Sequence, residues 1–152
     1  MTSNSASELV TPATLPPPMG YSHVARVEQG TLVFIAGQVA RDASGALVGK
    51  GDFRAQLEQV FMNVRLAVEA AGGRTRDIIK LNYYCADSVD PSELPTVAMI
   101  RDKYVDTGRP PISTFVFVRR LVRAEWLIEI EAVAAISGLS AGPAQHFGTQ
   151  RE

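Results

Sequence analysis

Two glutamates near the C-terminus stand one residue apart, in the run Leu127-Ile128-Glu129-Ile130-Glu131-Ala132. On an extended strand alternate side chains share a face, so Glu129 and Glu131 project together from an otherwise apolar segment. A carboxylate on such a surface is costly to ionise; its pKa rises, and it can serve as a general base. The same pattern suits a glutamate held by an arginine across a subunit interface, and the strand alone does not choose between the two. Other reactive residue types offer less. Cys85 is the only cysteine, and His23 and His146 are the only histidines. A single thiol closes no internal disulfide, and this ligand set nearly excludes a structural zinc site. Cys85 follows Tyr83 and Tyr84 in a strand-like run with no histidine beside it, the setting of an inert buried thiol. His23, a lone strand histidine, reads first as structural. Arg119, Arg120 and Arg123 crowd one loop, as expected at a sheet edge or against an acidic neighbour.

These side chains need a frame. The chain has 152 residues, enough for one domain, and 46% of them are hydrophobic, enough for a real core. Its 15 Lys and Arg nearly balance 16 Asp and Glu, for a net charge of −1. That balance argues against sequence-independent nucleic-acid binding and against a polybasic membrane contact. No apolar run approaches the roughly 18 residues of a membrane-spanning helix, and the first residues lack the basic-then-apolar pattern of a signal peptide. The expectation is a soluble, cytoplasmic protein. Residues 1–18, punctuated by Pro12, Pro16, Pro17 and Pro18, read as a flexible arm. Residues 137–152, with Gly138, Gly142, Pro143 and Gly148, read as a flexible tail. The folded unit is then 19–136.

Within it, 21–27 and 32–39 read as strands of a hairpin around Gly30. A turn at 42–45 precedes a short strand at 46–48. Residues 52–71 carry the clearest helical stripe, with Phe53, Leu57, Val60, Phe61, Val64, Ala67, Val68 and Ala71 spaced by three and four. Asp52 can cap its start, and Gly72-Gly73 can end it. A strand at 78–86 follows. Asp90-Pro91 then opens a second helix, with Glu93 placed as a capping-box partner and Gly108-Arg109-Pro110-Pro111 as its stop. Strands at 113–118 and 127–135 finish the unit. This is an α+β pattern with a mixed sheet. Two helices cover one face of such a sheet, yet the strands are apolar on both. Leu32 and Phe34 oppose Val33 and Ile35; Ile128 and Ile130 oppose Val133 and Ala135. The second face predicts burial against other copies of the chain, a homo-oligomer.

Several segments, in order, resemble the RidA family, also called YjgF/UK-type or L-PSP proteins. Pro110-Pro111-Ile112-Ser113 and the strand after it, followed by Ile128-Glu129-Ile130-Glu131-Ala132, are similar to the family's end-pattern Pro-x-Arg-Ser, strand, loop, Ile-Glu-Ile-Glu-Ala. Ala36-Gly37-Gln38 is similar to its Ser-Gly-Gln strand, the run from Asn63 to Lys80 to its first helix and following strand, and Tyr21 to its strand-start tyrosine. The resemblance covers about 19–136. It implies a chorismate-mutase-like fold, in which two helices pack on one face of each sheet and three sheets close a trimeric barrel. Clefts between subunits would take small metabolites, and members hydrolyse reactive enamines and imines to keto acids and ammonia with no metal or organic cofactor. By the same resemblance Glu129 would position water, and Tyr21, Gly37 and Tyr104 would line the cleft. Each also has a packing explanation: a strand-start tyrosine, a bulge glycine, a helix-end aromatic. One position departs from the pattern. Where deaminating members have an arginine that clamps the substrate carboxylate through paired hydrogen bonds, this chain has Ile112, which has no donor. Arg109, three residues earlier, reads mainly as a loop arginine. The expected activity is therefore a deaminase-type hydrolase that disfavours carboxylate-bearing substrates. The alternatives are a non-catalytic metabolite-binding trimer and, with less support, an endoribonuclease or translation inhibitor.

Overall fold

The computed structural model describes residues 6–139. Its elements are β1 (Ser7–Val10), β2 (Val24–Val27), β3 (Thr31–Gln38), α1 (Phe53–Ala70), β4 (Ile78–Ala86), α2 (Leu94–Arg101), β5 (Ile112–Val118) and β6 (Ile128–Ile136). Four strands form one sheet in the order β3-β6-β4-β5, while β1 and β2 form a separate ribbon. β6 runs antiparallel to both its neighbours, and β4 and β5 are parallel. A parallel pair needs a crossover rather than a tight turn, and α2 lies on that connection.

The apolar stripe of the first helix does what its spacing predicts. Leu57, Val60, Phe61, Val64 and Val68 are buried against Ile35, Leu81, Tyr83, Ile128, Ile130 and Ala132 of the sheet, with Val97 and Ile100 of α2 closing the same layer. Each such side chain removed from water contributes about 1.5–3 kcal/mol before ordering costs. Asp52 caps α1, its Oδ1 accepting the Ala55 N–H at 3.0 Å. Gly72, at φ +85°, ends it; that left-handed conformation strongly favours glycine.

The opposite face of the sheet is partly open. Leu32, Phe34 and Val116 are 46%, 75% and 39% exposed. At one end the ribbon covers it, where Ala6, Ile79 and Ala135 bury together with Leu9, Ala25 and Val27 packed on them. Ile79 reaches the ribbon because β4 bulges between Ile78 and Lys80 in its pairing with β6.

Four expectations are corrected. β2 and β3 do not form a hairpin: β2 pairs with β1, and β3 pairs with β6. The segment read as an arm therefore contains a strand. The expected strand at 46–48 is a single bridge, Arg41 to Leu47. The second helix begins as a 3-10 turn at Pro91–Glu93 and ends at Arg101, well before Gly108. No capping box forms there; the Asp90 carboxylate accepts the Ser92 N–H, and Glu93 contributes its backbone N–H to Asp90 O. The expected tail lies mostly outside the described residues. No helix among those described is long and apolar enough to cross a membrane.

Candidate functional site

Glu129 is placed by a residue whose role the sequence did not reveal. Gln56 is a fully buried amide inside the apolar stripe of α1. Its Nε2 donates to Gly49 O at 3.1 Å and to Glu125 O at 2.8 Å, and its Oε1 accepts the Leu127 N–H at 2.9 Å. One side chain thus fixes the loop entering β6 two residues before Glu129. Asn63, also on α1, fastens the chain leaving β3, its Nδ2 donating to Val39 O at 3.0 Å and Arg41 O at 2.9 Å. Between these anchors β3 is irregular from Ile35 to Gln38, and Gly37 lies directly against the Glu129 carboxylate. A methyl group at position 37 would collide with Glu129 Oε1. The glycine therefore makes room for the acid. Partial burial, reinforced by the neighbouring Glu131 charge, raises the Glu129 pKa above the ordinary glutamate value, the direction a general base acting near neutral pH requires.

Glu131 differs from its twin. Asn82 Nδ2 donates to its Oε1 at 2.6 Å and the Tyr84 hydroxyl at 3.0 Å. These bonds hold its pKa below the usual value, and the bond to Glu131 pushes the Tyr84 phenol up. Two glutamates on one strand face thus have opposite electrostatics. Phe34, Ala36, Lys80, Asn82, Glu131 and Val133 line a shallow depression of about 520 Å³ on this face.

The remaining candidates fall into separate places. Ile112 begins β5, an edge strand, and pairs with Lys80, while Glu129 pairs with Tyr84. They are separated by two strand positions across the sheet and by four residues along β4, about 13 Å in the strand direction. Tyr21 belongs with Ile112: the adjacent Ser22 bridges to Ile112, and its Oγ donates to Pro110 O at 2.6 Å. The Tyr21 ring meets His23 edge-on at 5.3 Å, and His23 Nε2 lies 2.8 Å from Pro16 O. These four candidates therefore fall into two groups toward opposite edges of the sheet, Gly37 with Glu129 and Tyr21 with Ile112. Tyr104 joins neither. Its ring stacks on Phe61 at 5.3 Å and its hydroxyl lies 3.5 Å from Glu58 Oε2, in the helical layer. Cys85 is buried, its thiol pushed up to about 11 by desolvation. Arg109 donates to Ser7 O at 2.8 Å.

The family model described as Endoribonuclease L-PSP matches residues 11–136. The chain belongs to this family. Among L-PSP relatives, a RutC family protein of Pyrococcus horikoshii is 34% identical over 128 residues, 84% of this chain and 96% of its own. A 2-iminobutanoate/2-iminopropanoate deaminase of Salmonella typhimurium is 32% identical over 114 residues, 74% of this chain and 85% of its own. The crystal structure of a conserved Rid family protein from Yersinia pestis superposes with a TM-score of 0.78 at 34% identity, covering 86% of this chain and 99% of that one. The mixed sheet with two helices is thus the fold of L-PSP proteins.

Proposed function

We propose that this L-PSP protein is a homotrimer that hydrolyses small reactive imines or enamines, with Glu129 directing the water. The observation that carries the reading is the Glu129 carboxylate seated against Gly37, its pKa raised, on the uncovered sheet face. Water adds to the imine carbon as Glu129 takes its proton. Glu129 returns that proton to nitrogen to give a carbinolamine, whose C–N bond breaks as its hydroxyl proton passes to the leaving nitrogen, so that ammonia departs and a carbonyl compound remains. The Salmonella typhimurium relative, named as a deaminase, supports this reaction class. The two groups toward opposite sheet edges support assembly, since a neighbouring copy bringing its Tyr21–Ile112 edge to the Gly37–Glu129 edge completes one cleft. Exposed Phe34 and Leu32 provide the apolar surface for that contact. Ile112 gives the cleft an apolar wall, so uncharged substrates are favoured over carboxylates.

The test is semicarbazide-trapped imine loss, with an amino-acid oxidase as generator for carboxylate-bearing imines and a neutral imine for comparison. Glu129→Gln should lower turnover of the neutral imine by about 10²-fold or more; unchanged turnover would remove Glu129 from the mechanism. Rates on 2-aminoacrylate-derived imines matching those of an arginine-bearing relative would refute the role given to Ile112. Ile112→Arg should raise those rates. A binding-only trimer is the second reading, favoured by Ala36 and Ile112, two apolar residues at positions where the family pattern is polar; no turnover in any of these assays, with retained ligand binding, selects it. RNA cleavage is disfavoured by the net charge of −1.

A further inference from the structure

At the end of the sheet away from Glu129, three arginines line one concave pocket of about 490 Å³. Arg74 and Arg76 come from the turn between α1 and β4, and Arg109 from the loop before β5. Asp77 and Asp106 line the same hollow, so its charged side chains leave one net formal positive charge. Each of these two carboxylates also accepts a backbone N–H. Asp77 Oδ2 accepts the Arg74 N–H at 2.8 Å, and Asp106 Oδ1 accepts the Gly108 N–H at 2.9 Å. Among the described residues no carboxylate forms an ion pair with any of the three guanidiniums. Arg109 is held in place by its bond to Ser7 O and keeps further N–H donors available. General basicity does not explain the cluster, because the chain as a whole is slightly acidic.

We propose that this pocket binds a phosphate-type dianion, either free phosphate or the phosphate of a small ester. A guanidinium presents paired N–H donors that match phosphate oxygens, and three arginines lining one hollow offer more such donors than a single carboxylate needs. The site is distinct from the cleft of the proposed reaction, as neither Glu129 nor Ile112 lines it.

Isothermal titration of the full chain with inorganic phosphate at low ionic strength tests this. Saturable binding is expected, weakened about tenfold or more by Arg76→Gln and by Arg109→Gln. Arg54→Gln, an exposed arginine on α1 far from the pocket in sequence, should leave it unchanged. Arg76 is exposed and makes no ion pair among the described residues, so its variant keeps the fold even if Arg109→Gln loosens β1. Absence of saturable heat, or an affinity unaltered by Arg76→Gln, would overturn the site. Tighter binding of glycerol phosphate than of phosphate assigns it to an ester; the reverse assigns it to the free ion.

Discussion

The two faces of the sheet are built from the same four strands and behave differently. On the helical side every large residue of the layer meets another apolar group, and the few polar atoms are either tightly satisfied, as in Gln56, or suppressed, as in Tyr83, whose buried phenol is pushed well above its ordinary pKa by desolvation. On the other side apolar residues stand in solvent beside a hydrogen-bonded cluster of Asn82, Tyr84 and Glu131. The first face folds the chain. To the second, the proposed function assigns the chemistry and the contact with another copy.

Substitutions can break this contrast. Leu57→Ala, on the closed face, should cost about 2–5 kcal/mol in urea denaturation, since the cavity has rigid walls on all sides. A loss below about 1 kcal/mol would mean the helical layer is not the dominant core. Phe34→Asp, on the open face, should leave far-ultraviolet circular dichroism nearly unchanged while light scattering reports dissociation to monomers at micromolar concentration. Loss of helical signal would instead make Phe34 part of the folding core. The smallest effect is expected from Glu129→Gln on stability. A carboxylate whose folded pKa is raised loses stability as pH rises from its unfolded value, about 4.3, through the folded one. The glutamine variant should therefore melt slightly higher than the parent at pH 7, with the gain vanishing below about pH 4. A variant that melts lower at pH 7 would show that the ionised carboxylate is well satisfied.

Much of the closed face was legible in the sequence because it is periodic. The three-and-four spacing gave α1 nearly to its ends, and alternation in long apolar runs gave β4, β5 and β6. What failed was short or non-local. Ser7–Val10 has only four residues beside a proline-rich stretch, too few for a period to register, and its existence depends on a partner beyond Tyr21. The hairpin expectation for β2 and β3 followed proximity across Gly30, whereas β3 finds its hydrogen bonds on a strand at the far end of the chain. In the site, the glutamate pair was readable from alternation, yet its opposite titration was not, because Asn82 and Tyr84 reach Glu131 and spare Glu129. Gln56 was hidden by lying inside a helical stripe where an amide looks like an interruption. Tyr104 stacks on Phe61 in the helical layer, the helix-end packing that its position after α2 offers beside a cleft role.

The strand order has a consequence for how the chain comes into being. Among the described strands β6 is the last to be synthesised, and it lies inside the sheet, between β3 and β4. Until the ribosome has released residue 136, β3 has no partner in this sheet, and β4 shows an open edge beside β5. Both the glutamate and the staple that makes one sheet of two pieces arrive in that final strand. A nascent or truncated chain lacking it carries unpaired apolar strands, the template on which chains aggregate. Closure of the sheet waits on this one strand.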